Sequence, residues 1–189
     1  MSTARELRYS YDDYLRALEA SPFKLEYSAG VIYAMAGGTL AHGELGARVT
    51  SLLAPQLGDK CRAYSSDVKV RVDSSDFAAF PDLSVACGQR ETSRVDSNAL
   101  TNPSVLVEIT SRSTEAYDRG EKLTHYQLIP TLSAVVFVSH REPRITLVSR
   151  TAEGWTTRDF VPGERLVLQA VPMTLDVDRV YADIQLDPA

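Results

Sequence analysis

Two carboxylates stand where a carboxylate is costly. Asp82 lies in Pro81-Asp82-Leu83-Ser84-Val85, and Glu108 lies in Val105-Leu106-Val107-Glu108-Ile109-Thr110. Both runs otherwise have the apolar, β-branched make-up of buried strands. An uncompensated carboxylate inside a sheet costs several kcal/mol, so the pair asks for a partner, and a metal ion is the first candidate. Taken singly, each has a plainer explanation. A strand-end glutamate can reach solvent, and an aspartate after proline often serves a turn or cap.

A lysine and a histidine shift the balance. On a helical wheel Lys122 falls in the apolar sector with Leu123, Tyr126 and Ile129. The alternative is a packed stem whose ammonium escapes to water. His42 shares the sector of Leu45, Val49 and Leu53, whereas Glu44 falls on the opposite side. It is either a core histidine with one hydrogen bond or an active-site group. Its place in a first turn, just after Gly37-Gly38, is where free N–H groups and the helix dipole favour a phosphate. Two acids for a cation, a lysine for developing charge and a histidine near phosphate describe metal-assisted phosphoester chemistry.

Other chemistries find little support. Ser111 and Ser113 follow a strand without a Gly-x-Ser-x-Gly elbow. His125 and His140 have no cysteine at zinc-ligand spacing, and Gly37-Gly38 fits neither a Walker loop nor a dinucleotide fingerprint.

The elements that must position these residues are readable from the period of the apolar positions. Ser10 and Asp13 form a capping box for a helix over about 11–20. The segments 23–27 and 31–35 flank Ser28-Ala29-Gly30 and read as a hairpin. A longer helix opens at Gly37-Gly38-Thr39, with Pro55 kinking or shortening its end. Val68, Val70 and Val72 alternate with Asp67, Lys69 and Arg71, as in a strand with one wet face. Strands at 81–86 and 104–110 follow, separated by a polar stretch from Cys87 to Pro103 that is long for a hairpin loop and reads as a mobile flap or, as the alternative, a segment with a short helix. Asp118 and Glu121 form a second capping box for a helix ending at Ile129, before Pro130. The run Ala134–Val138 reads as a buried strand, 144–149 and 155–160 as an antiparallel pair, and a short helix is expected near 178–184.

At 189 residues, 44% hydrophobic and 24% charged, the chain suits one folded domain, residues 1–189, with the terminal hairpin and short helix from about 141. No apolar leader and no run of about 18 apolar residues is present, which predicts a cytoplasmic protein with no membrane association. Cys61 and Cys87 are far apart and lack metal spacing, so both are expected as reduced thiols. A net charge of −5 weighs against a general nucleic-acid coat, and any such contact must come from a local patch or a cation.

The order helix, hairpin, helix, Pro-Asp strand, Glu strand and Lys helix resembles the PD-(D/E)XK nuclease superfamily. More specifically, Lys24-Leu-Glu-Tyr-Ser-Ala-Gly30, His42, Pro81-Asp82-Leu83, the segment Pro103–Thr114 with Glu108, and Asp118-Arg-Gly-Glu-Lys122 with Tyr126 resemble the Uma-two family of restriction-endonuclease-like proteins. The likeness covers roughly residues 10–150. It implies an α/β (α+β) fold, a restriction-endonuclease-like mixed sheet flanked by helices. It also implies that Asp82 and Glu108 hold a metal with help from the Ile109 carbonyl. The motif lysine usually lies two residues after the acid, where this chain has Thr110, and the resemblance implies that Lys122 takes the role from the next helix.

Hard oxygen ligands suit Mg²⁺ (or Mn²⁺), which needs few carboxylates. Asp82, Glu108, Lys122 and His42 are thus the expected catalytic set of a metal-dependent endonuclease acting on nucleic acid, with DNA the expected substrate. The alternatives are a catalytically inactive nuclease-fold module that binds nucleic acid or protein, and hydrolysis of a smaller phosphoester. Edge strands of such a sheet leave a homodimer open.

Overall fold

A computed structural model of the chain describes residues 8–35, 37–111 and 113–187. Helix α1 (Tyr11–Ala20) starts at the expected capping box, with the Ser10 and Asp13 side chains each bonding the other's backbone N–H. It packs Tyr11 and Tyr14 against Tyr27 of the hairpin β1 (Leu25–Ser28) and β2 (Val31–Ala34). Both turn residues, Ala29 and Gly30, have positive φ, as a two-residue turn matched to strand twist requires. A Cβ at Gly30 would also meet Arg8 Cβ at 2.8 Å, so this corner needs glycine twice over. Helix α2 (Leu40–Leu53) follows Thr39 as N-cap and passes at Pro55 into a 3₁₀ turn, Ala54–Gln56.

The strands β3 (Cys61–Ser65), β4 (Lys69–Val72), β5 (Phe77–Ala79), β6 (Leu83–Cys87), β7 (Ala99–Leu100), β8 (Val105–Ile109), β9 (Ala134–Val138), β10 (Ile145–Thr151) and β11 (Gly154–Phe160) complete two mixed sheets. The six-stranded one runs β11-β10-β9-β8-β6-β3, and the five-stranded one runs β2-β1-β5-β4-β7. Alternation along β8 explains the layering. Val105, Val107 and Ile109 face a core shared with α2, whereas Leu106 faces a second core shared with Val70, Phe77 and Tyr126. Between β8 and β9 lie α3 (Glu115–Tyr117), a π-helical turn over Asp118–Lys122, and α4 (Leu123–Tyr126). A further hairpin, β12 (Arg165–Leu168) and β13 (Met173–Asp176), and α5 (Val177–Tyr181) cover the α2 side. No helix among the described residues is long and apolar enough to cross a membrane.

Several expectations are corrected. Strand β4 has no wet face, because Lys69 and Arg71 are both buried. Lys69 pairs with Asp96 at 2.7 Å, and Arg71 lies over the Tyr11 ring while bonding Asp73 and Asp76. The stretch from Cys87 to Pro103 is not a free flap. Strand β7 zips it in parallel to β4, and Ser93, Asp96 and Asn102 are buried and hydrogen-bonded. Asp118 caps nothing, since the helical segment already begins after Thr114 and Asp118 turns inward to Lys122. Cys61 and Cys87 form a disulfide rather than two thiols, because the antiparallel register of β3 and β6 sets them face to face with Cα atoms 4.0 Å apart. The β12–β13 hairpin and strand β5 were not expected from the sequence.

Candidate active site

One cleft of about 760 Å³ is lined by Asp82, Glu108, Ile109, Lys122 and His42 together, so the structure gathers all five expected site residues. The gathering follows from register. In the antiparallel pair β6–β8, Leu83 lies opposite Val107, which carries Asp82, one residue earlier, to the level of Glu108. The Asp82 carboxylate accepts the Ile109 N–H at 2.7 Å, closing the end of the ladder with a side chain. Its other oxygen lies 3.0 Å from His42 Nε2.

His42 therefore meets the aspartate rather than an empty anion site. The hydrogen bond to Asp82 holds its imidazole above the usual histidine range, against the opposing effect of burial. Gly38 makes room for the ring, because a Cβ there would meet His42 Cδ2 at 2.6 Å. At the start of α2, Thr39 caps the His42 N–H and donates its hydroxyl proton to Asp187 at 2.6 Å.

Lys122 is 1% exposed and does not snorkel. Three carboxylates surround its ammonium: Glu26 at 3.0 Å, Asp118 at 3.1 Å and Glu108 at 3.5 Å. Burial alone would lower the lysine; Glu108, Glu26 and Asp118 outweigh it and hold the group well above its ordinary value. A lysine so held is a permanent cation and a hydrogen-bond donor, not a base. Glu108 is itself pushed well above the usual carboxylate range, first by burial and then by Asp118, Asp82 and Glu26, against the opposing charge of Lys122. Tyr126 fixes it by donating its hydroxyl to Oε1 at 2.7 Å.

Sequence reasoning missed Glu26 and Asp118. Glu26 is fully buried in β1, bonds Lys122 and accepts the Phe80 N–H at 3.2 Å, while its Oε2 has no partner. It thereby ties the lysine to the segment that delivers Asp82. Its segment, residues 24–30, carried part of the family resemblance, but alternation reads Glu26 as a solvent position and gives it no role. Asp118 did carry a signal, its i, i+4 spacing to Lys122. His140, Ser111 and Ser113, discounted for other chemistries, also line the cleft. His140 faces Thr110 Oγ1 at 3.2 Å and is held low by burial.

These features define a nuclease-like α+β fold with an acidic, lysine-bearing cleft, and comparison with known proteins agrees. Residues 11–179 match the Uma2 family model, described as "Putative restriction endonuclease". The chain belongs to that family. It is 34% identical over 176 residues to an uncharacterized protein of Synechocystis sp., covering 92% of each chain, and 28% identical over 127 residues to a second, covering 67% of this chain and 72% of the relative. Its fold is shared with a crystal structure from Anabaena variabilis described as a "putative nuclease belonging to DUF820", with a TM-score of 0.75, 15% identity, and coverage of 92% of this chain and 98% of the other.

Proposed function

We propose that this protein is a metal-dependent endonuclease that hydrolyses phosphodiester bonds of nucleic acid, with DNA as the expected substrate. The observation that carries the reading is the meeting of Asp82 and Glu108, from adjacent strands, with a fixed ammonium 3.5 Å from Glu108 on one cleft lining.

The donor set fits a hard divalent ion. Among the described residues, no three His, Cys, Asp or Glu side chains gather so as to hold an ion by themselves. Two carboxylates and the Ile109 carbonyl leave room for water and substrate oxygens, as Mg²⁺ or Mn²⁺ prefers. When bound there, such an ion would polarise the scissile phosphate and make a nearby water more acidic.

The protein's own groups have separable tasks. His42 and the Ile109 N–H orient Asp82, and Tyr126 orients Glu108. Lys122 presents fixed positive charge to a phosphate oxygen as negative charge develops there. Its tether to Glu26 and Asp118 sets that charge in place before substrate arrives.

That same tether gives the second reading its support: an ammonium satisfied by three carboxylates suits a binding module that has lost cleavage. One assay separates the two. Purified protein is incubated with labelled single- and double-stranded DNA and RNA, in Mg²⁺, Mn²⁺ or EDTA. Endonucleolytic products should form only with metal and disappear in Glu108→Gln. Binding with no product under any condition supports the module, and cleavage that survives both EDTA and Glu108→Gln overturns the proposed site.

A further inference from the structure

Phe23 lines the same cleft yet is 64% exposed, and it is joined there by Phe80, whose ring has Lys24 Nζ 5.7 Å from its centroid. A lone exposed phenylalanine is ordinary. Two aromatic rings lining one cleft, close in sequence to the reacting groups, call for an account. Phe80 lies two residues before Asp82. Phe23 lies three before Glu26, the residue that grips Lys122. At most about 10 Å of extended chain separates Phe23 from that anchor, roughly three stacked nucleotides.

The charge of the described lining restricts what can enter. Among the described residues it carries Asp82, Glu108, Asp118 and Asp187, and the lysines Lys24 and Lys122, both ion-paired. Duplex binding draws its affinity mainly from Lys and Arg neutralising many phosphates, which the described residues of this lining do not supply. A volume of about 760 Å³ holds a ligand of nucleotide size rather than a duplex about it. Stacking on aromatic side chains adds affinity by a route other than phosphate neutralisation and accepts any base.

We propose that the Phe23 wall is a stacking subsite for an unpaired nucleobase, so that this cleft takes single-stranded nucleic acid. The proposal rests on the nuclease reading for its orientation, but its test does not require cleavage. Fluorescence anisotropy is measured with a labelled single-stranded 12-mer, the same 12-mer with an abasic site at its centre, and the blunt duplex, all in Ca²⁺. Phe23→Ala and Phe23→Leu should weaken single-strand binding about fivefold or more, and Phe23→Trp should restore it. The abasic strand should bind weakly and lose little further on substitution, and the duplex should bind more weakly than the single strand.

Phe23→Leu binding like wild type overturns the subsite, because it replaces the ring by an apolar group of similar bulk. A duplex bound more tightly than the single strand, no single-strand binding at all, or a change of oligomeric state in Phe23→Ala that accounts for the loss overturns it equally. Phe23-dependent binding without cleavage in Mg²⁺ would leave the subsite standing and remove the nuclease reading. Metal-dependent cleavage with an unchanged KM for single strands in Phe23→Leu would do the reverse.

Discussion

Lys122 is the residue on which stability and function are most tightly joined. Its ammonium is the shared partner of Glu26, Asp118 and Glu108, and removing one member of a buried ionic group leaves the others uncompensated. Lys122→Met should therefore destabilise the fold by roughly 3–5 kcal/mol at neutral pH, and not act on cleavage alone. The pH dependence has a definite sign. Glu26 and Glu108 are held above their ordinary carboxylate values, so the folded state binds their protons more strongly. That stability is fully present below about pH 4.5 and is lost as pH rises through the folded values. Lys122 stays charged across this range, since its own value is also raised and its stabilisation is lost only in strong alkali. The Lys122→Met deficit should thus be small near pH 5 and grow toward pH 8, as denaturant titrations at both values will show. An equal deficit at both would mean that the lysine mainly fills space.

At the scale of elements, the sequence was informative wherever apolar period and capping agreed. Helix α1, the β1–β2 hairpin, α2, and strands β6, β8 and β9 lie close to their expected positions. It misled where tertiary partners reversed a local signal. Lys69 and Arg71 look like a solvent face, and their burial is made tolerable by Asp96 and the Tyr11 ring, both remote in sequence, together with the nearer Asp73 and Asp76. The disulfide was hidden for a related reason, since pairing register is not readable from a spacing of 26 residues. Glu26 was missed because its partners lie on other elements, whereas Asp82, Glu108 and Lys122 each interrupt an apolar pattern of their own. The β7 segment offers a test at this level. Burial would raise Asp96, but the bonds from Lys69 and Tyr11 outweigh it and hold the carboxylate below its ordinary value. Asp96→Ala should release the loop from β4 and leave Lys69 unpaired. Tryptic cleavage at Arg90 and Arg94 should then run several-fold faster than in the wild type; an unchanged rate would mean that β7 pairing alone holds the loop.

At the scale of the molecule, the five-stranded sheet brings Glu26, the six-stranded sheet brings Asp82 and Glu108, and the segment between β8 and β9 brings Asp118 and Lys122. The site is thus a junction of layers, with more negative than positive charge at its centre. A divalent ion bound only by the folded protein should relieve that excess and stabilise the fold, by about 2.7 kcal/mol at a hundredfold excess over its Kd. Calorimetric titration of Mn²⁺ into the wild type, Asp82→Asn and Glu108→Gln, paired with melting curves, tests this most directly. Saturable binding and a raised melting temperature are expected in the wild type, with both lost in the two variants. No saturable heat in the wild type, or unchanged binding in Glu108→Gln, would contradict it.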